Sequence, residues 1–324
     1  GRTYSLASTA YPVDWNERKR RMGFSTMGFR RFCQRVWKLF EANGMTPHIL
    51  PHMTYCFELP AFSFCTAIVN GEARMINLGA RHDTMDAWSR DELRIMGNGP
   101  KWGLATFWKP TVEVNGIIPK PMEAWHYWQC RTLHANVMQA DMWYLWHYPT
   151  ANVILPDLLD FDFSDPAPSF IPYWRNRNLL TAEAAAGADV AAGIFRKPDR
   201  ALIMVSNFAR EDQAVTLALN TAELFGREGT VAWRDADRSL DPPENLVASD
   251  AEIAQAAKAA AHASELGDGE AAEPLDEAAL LDVLSGVTPR EKEQARLAIR
   301  PDGNRVSLVV RKRDYRLLEV RLQP

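Results

Sequence analysis

No GxSxG, GxGxxG, GxxxxGK[ST] or HExxH motif occurs in this chain of 324 residues, which removes sequence support for a nucleophile elbow, a dinucleotide fold, a P-loop and a zincin. No apolar run reaches the ~18 residues of a membrane span, and the N-terminus lacks the apolar core of a secretory leader. Cysteine is scarce. Cys33, Cys56, Cys65 and Cys130 show no CxxC spacing, and the last 194 residues hold none, so a zinc ribbon is excluded. Buried free thiols are expected in preference to a disulfide framework, and the redox compartment stays open. Charge of one sign is also lacking. A net charge of -4 and a pI near 6.0 give no overall attraction to nucleic acid or to an anionic membrane, so a small or uncharged partner is expected and no cofactor is implied. The chain opens on Gly1, and "GRTYSLASTAYPVDW" carries neither a cap nor a strand pattern. We expect a piece of something longer, whose upstream part could carry a leader to the periplasm or the cell exterior.

What is present changes character along the chain. Ten of the eleven tryptophans precede residue 175, while the remainder is rich in Ala, Val, Leu and charge. The Pro- and Asp-rich stretch "LPDLLDFDFSDPAPSFIPYW" between them has the turn chemistry of a domain crossing. Two domains are expected, 1–160 and 161–324. In the first, Ser25 and Thr26 are N-cap candidates for a helix whose Phe29, Phe32, Cys33, Val36, Trp37 and Phe40 keep a 3.6-residue stripe until Gly44 ends it. An extended "HILPHMT" follows, then a helix at about 85–97 with Asp86 near its start, the strand-like "WGLATFWKP" and a helix at about 122–139. "ADMWYLWH" extends that last helix or forms a short strand. Alternating helix and strand predicts parallel strands with a working site at their C-terminal ends, in the manner of the later part of a (β/α)8 barrel. From about residue 188 seven short strands with close turns predict an antiparallel β-sandwich. An acidic insertion at about 246–286 interrupts it. There, residues 248–284 hold 13 alanines and nine acids against one lysine, which reads as a solvated, partly helical segment.

His48 and His52 invite a metal reading. Pro47 and Pro51 forbid a helix interior, however, and on a strand the two side chains lie roughly 13 Å apart, too far for one ion. His48 is expected in the core or at a strand start. His52, where the strand feeds the rim, either faces substrate or simply packs; a neutral imidazole there could donate to a sugar hydroxyl or assist proton transfer. The next loop, "ELPAFSFCTAIVNGEARMINLGARHDTMD", is too long for a plain connector. Its Asn70-Gly71-Glu72 turn presents one carboxylate, which faces ligand or solvent, and Asp83 or Asp86 reads as an N-cap. Lys109 follows Trp108 at the predicted strand end, with Glu113 beyond; this is a structural ion pair or part of a binding rim. Trp125, Trp128, Trp143 and Trp146 recur at helical spacing and read as core, although exposed members would stack on sugar rings. Asp91 and Glu92 are adjacent acids within the predicted helix and read as its surface. The candidate substrate contacts are thus His52, Glu72, Trp108, Lys109 and Glu113. No catalytic residue is assigned.

Taken in order, "RRFCQRVWKLF", "PHMT", "NGEA", "KWGLATFWKP", the "FIPYWRN" junction and "ALIMVSNFAREDQAVTLAL" make the chain resemble the C-terminal part of bacterial proteins related to glycoside hydrolase family 123. The resemblance implies a (β/α)8 barrel flanked by β-sandwiches. It also implies action on β-linked N-acetylgalactosamine, with the substrate's acetamido oxygen attacking the anomeric carbon and an adjacent Asp-Glu pair orienting the acetamide and protonating the leaving oxygen. No strand-end Asp-Glu pair can be matched here, so the pair lies upstream of Gly1 or the activity is lost. A non-catalytic carbohydrate-binding or cell-surface protein is the alternative.

Overall fold

The computed structural model describes residues 26–52, 59–70, 89–98, 103–108, 136–144, 158, 160–164, 166–237, 251 and 296–323. The helix α1, Thr26–Ala42, forms where the apolar stripe places it. Cys33 is buried, and Phe29, Val36, Trp37 and Phe40 are half-buried, but Phe32 is 61% exposed. Its neighbour Cys33 takes the inward direction, which leaves Phe32 at the edge of the stripe, near the Phe29 ring. The helix stops as its sequence predicts. Gly44 sits in the left-handed region (φ +66°), the Gly44 amide donates to Glu41 O and the Met45 amide to Phe40 O, so carbonyls of the last turn are satisfied at the helix end.

A short helix α2, Leu59–Phe62, leads through a turn into strand β1, Ala67–Asn70. Helix α3, Arg90–Asn98, starts later than the expected residue 85. Ser89 caps it: the Ser89 hydroxyl accepts from the Glu92 amide while the Glu92 carboxylate accepts from the Ser89 amide, a reciprocal capping box. Asp86 lies outside the described residues. Strands β2, Ala105–Trp108, and β3, Trp143–Tyr144, complete a three-stranded parallel sheet in the order β1-β2-β3. Of the helix expected at 122–139, residues 136–139 are described as helical. The turn out of it places Asp141 at φ 59°, with the Met142 amide reaching Val137 O, and "ADMWYLWH" continues as strand β3 rather than helix.

The remaining strands build two antiparallel sheets. They are β4 Ser169–Ile171, β5 Leu180–Glu183, β6 Val190–Arg196, β7 Arg200–Asn207, β8 Gln213–Leu219, β9 Val231–Asp235, β10 Arg300–Asp302, β11 Arg305–Val310 and β12 Tyr315–Leu322. One sheet runs β10-β11-β8-β5 and the other β4-β6-β7-β12-β9. The seven predicted strands are present, joined by β4 and β5. The helix α4, Thr221–Phe225, is capped by Asn220 and ends at Gly226, whose φ is +71°.

Strand patterns say which sheet is covered. β8 alternates buried and open positions, as a half-solvated strand does, whereas "RALIMVSN" in β7 is buried almost throughout. Its two faces meet different partners. Ile203 and Val205 join Val215, Leu217, Val306 and Leu308 in a core shared by both sheets. Leu202 and Met204 face the other way, onto Met138, Leu158 and Phe161. The segments before residue 164 thus supply the cover for the outer face of the five-stranded sheet. The acidic insertion lies outside the described residues, Ala251 apart, and falls between β9 and β10 in the chain. No helix among the described residues is long and apolar enough to cross a membrane.

Candidate functional site

Four chain segments run parallel, in sequence order, toward one edge. The extended segment that ends at His52 pairs with β1 through a parallel bridge between His52 and Val69. The Ile49 carbonyl accepts from the Thr66 amide, the Pro51 carbonyl accepts from the Val69 amide, and the Ile49 amide donates to the Thr66 hydroxyl at 3.0 Å. Pro51 has no amide to give, and it stands where only its carbonyl is used. Beyond β1 the register sets Asn70 beside Trp108 and Trp108 beside Tyr144. His52, Asn70, Trp108 and Tyr144 therefore mark the C-terminal edge of consecutive parallel strands.

His52 is exposed at this edge. Trp108 ends β2 with its indole fully enclosed at 0% exposure, so in this structure it packs beneath the edge rather than being presented from it. Glu72, Lys109 and Glu113 lie outside the described residues, as do Cys56, Trp125, Trp128 and Trp146. His48 is exposed, not in the core, because partly buried Ile49 and buried Pro51 take the inward positions of this segment. No group of three or more His, Cys, Asp or Glu side chains that could hold a metal ion occurs among the described residues. Asp91 and Glu92 sit in the first turn of α3, with Glu92 engaged in the capping box.

Other clusters have no counterpart in the sequence reading. Arg90 of α3 lies 5.3 Å from the ring centroids of both Tyr173 and Phe208 and forms an ion pair with Asp189 at 2.5 Å. One turn on, Arg94 stands 4.7 Å over Trp174, whose ring meets Tyr173 edge-on. Burial pushes the Tyr173 phenol up from its ordinary value against the opposing charges of Arg90 and Arg94. Tyr173 and Trp174, with Phe208, are thus a seat for α3, and the Trp174 face is occupied by a guanidinium. In the five-stranded sheet the carboxylate of Glu319, 1% exposed, is held by Arg234, Arg321 and Arg200. Burial pushes it up, but the arginine hydrogen bonds and charges prevail and hold it below the usual carboxylate range. In the core beneath α1, the thiols of Cys33 and Cys65 face each other, both free. The signal for α3's start was present in "SRDE", an S-x-x-E box; nothing in the sequence pairs an arginine with its ring.

No protein-family model matches the chain, so the family 123 resemblance gains no support there. No curated protein matches it. Among solved structures, a noncanonic maltogenic alpha-amylase from Thermotoga neapolitana is similar at 9% identity and TM-score 0.43, over 91% of this chain and 59% of that one. A glycoside hydrolase family 30 subfamily 8 xylanase from Clostridium acetobutylicum is similar at 8% identity and TM-score 0.37, over 92% of this chain and 72% of that one. A family 30 endoxylanase from Clostridium papyrosolvens is similar at 8% identity and TM-score 0.38, over 100% of this chain and 76% of that one. This chain thus spans less than two thirds of the amylase, and a likeness of this degree says nothing about its activity.

Proposed function

We propose that residues 1–160 form later strands of a glycoside-hydrolase-like (β/α)8 barrel, that residues 161–324 form a β-sandwich behind it, and that the rim beyond the strand ends takes a carbohydrate. One observation carries the reading: the strands are parallel and neighbour one another in sequence order, with His52, Asn70, Trp108 and Tyr144 at one edge. A doubly wound sheet reverses its order at a switch point, whereas a barrel keeps it and puts its site at the carboxyl ends. His52 offers an imidazole to a sugar hydroxyl, and Trp108 is the packed floor below. Glu72 follows the end of β1 by two residues, and Lys109 and Glu113 follow the end of β2 by one and five. A β-linked N-acetylhexosamine is the substrate that the family 123 resemblance implies.

The second reading, a non-catalytic carbohydrate-binding protein, is favoured by one feature. The described strand ends Asn70, Trp108 and Tyr144 carry no carboxylate, and glycosidic hydrolysis ordinarily requires one that donates a proton. Hydrolysis of an aryl N-acetyl-β-hexosaminide and sugar-induced quenching of tryptophan fluorescence separate the two. His52→Ala and Glu72→Gln should each weaken binding or hydrolysis about tenfold, one hydrogen bond's worth. Wild-type behaviour from both variants would refute the assignment of the rim.

A further inference from the structure

We propose that Cys33 and Cys65 are a disulfide-forming pair that locks α1 to the start of β1 when a small-molecule disulfide is present. Their sulfurs lie 3.8 Å apart across a sequence separation of 32 residues, and the side chains are 1% and 8% exposed. Both belong to one core with Phe62, Ile68 and Leu104, so the approach is built into packing rather than made by two mobile surface groups. Closing to the ~2.05 Å of an S–S bond brings sulfurs that already lie 3.8 Å apart into bonding range. Each partner is held from a different element. Cys33 lies within α1, and Cys65 sits in the turn after α2, where its amide donates to Phe62 O and the next amide, of Thr66, donates to Ile49 O. A bond between them would therefore tie the helix to the parallel sheet.

The chemistry balances as an exchange with a small disulfide RSSR. One thiol loses its proton and attacks RSSR, giving a mixed disulfide and one RSH. The second, deprotonated in turn, attacks the protein sulfur of that mixed disulfide and expels the second RSH, so two protein thiols are oxidised and one RSSR is reduced. Burial pushes both thiols up, Cys65 to about 12, with the neighbouring Cys33 adding to the effect at Cys65. Attack near neutral pH is accordingly slow, and the oxidant reaches the sulfurs only when α1 opens from the sheet. The pair stays inert in the closed fold and is sealed after an opening, which makes it a record of how often this core breathes. The proposal is independent of the carbohydrate reading.

The test is incubation of the wild-type protein in oxidised glutathione, followed by alkylation of remaining thiols and peptide mapping. We expect loss of two hydrogens in the intact mass, a linked peptide joining Cys33 to Cys65, and a formation rate that rises with pH and levels off near about pH 8.5, the ordinary thiol value regained when α1 opens. A Cys56→Ser/Cys130→Ser variant should give the same linked peptide, and its melting temperature should rise on oxidation and fall back on reduction. Glutathione adducts at Cys33 or Cys65 that never resolve, linkage through Cys56 or Cys130 in the wild type, or two thiols still alkylatable in the Cys56→Ser/Cys130→Ser variant after prolonged exposure would each overturn the proposal.

Discussion

Replacing Gly193 with alanine tests whether the outer face of the five-stranded sheet is packed as closely as the structure has it. A Cβ at Gly193 would stand 2.5 Å from Gln139 Oε1 and 3.2 Å from the Phe170 ring. The amide of Gln139 is 1% exposed, and its Nε2 donates to Met204 O at 2.7 Å and to the Ser206 hydroxyl at 3.2 Å. It cannot swing clear without giving those up. Leaving the buried amide and its acceptor unsatisfied costs about 1–3 kcal/mol, and crowding the Phe170 ring adds about 1–3 kcal/mol. The alanine recovers about 0.4–1 kcal/mol of unfolded-state entropy. The net expectation is a loss of about 2–4 kcal/mol, a fall of roughly 5–15 °C in melting temperature for a unit of this size. Urea denaturation followed by far-UV circular dichroism measures it. The sharper test is a double-mutant cycle: in a Gln139→Ala background only the Phe170 crowding remains, so Gly193→Ala should cost about 1–3 kcal/mol less than in the wild type, and that difference is the coupling. Equal costs in both backgrounds would refute the contact, as would a single substitution that is neutral.

The Glu319 carboxyl is held below its ordinary value, so its contribution to stability is complete above roughly pH 4.3, the unfolded glutamate value, and fades as pH falls through the lower folded one. Glu319→Gln should cost about 1–2 kcal/mol near neutral pH, since Arg234 and Arg321 are half exposed and stay solvated, and acid unfolding should show the gap between variant and wild type narrowing below about pH 4. Asn207→Ala removes a side chain whose Nδ2 donates to Glu211 O at 2.7 Å and Arg311 O at 3.0 Å and whose Oδ1 accepts from the Ala209 amide. A loss of about 2–4 kcal/mol in chemical denaturation is expected; a loss below about 0.5 kcal/mol would mean that water replaces these bonds.

Local signals were legible wherever one element decides its own fate. The stripe from Phe29 to Phe40 and the glycine at 44 define α1, and the alternation in "QAVTLAL" defines β8. "ALIMV" reads as a strand for a different reason, since both its faces are covered. β4 and β5 escaped because "SFI" and "LTAE" are too short to show a period and lie among turn residues. The start of α3 was misplaced because Asp86 offered a competing cap, although "SRDE" carries both halves of a capping box. Of the rim, the extended path through His52 followed from Pro47 and Pro51. The enclosure of Trp108 did not, because whether an aromatic at a strand end packs or is presented depends on segments distant in the chain. The same holds for the approach of Cys33 to Cys65 and for Arg94 over Trp174.

These long-range contacts say how the rim is held. The α3 crossover before β2 is seated on Tyr173, Trp174 and Phe208 by Arg90 and Arg94, and the turn into β3 is preceded by Met138 and Gln139, which are sunk in the outer face of the five-stranded sheet. Connections on both sides of β2 are thereby fixed to the antiparallel body, and a binding edge on such strands is held by packing rather than by its own loops. Two kinds of substitution should then separate. If the rim takes a sugar, His52→Ala removes a contact and weakens affinity directly. Arg94→Ala touches no rim residue but strips the guanidinium from Trp174; it should lower stability by about 1 kcal/mol and weaken sugar binding by loosening the α3 crossover. Affinity unchanged in Arg94→Ala at reduced stability would show that the antiparallel body supports the fold without shaping the rim.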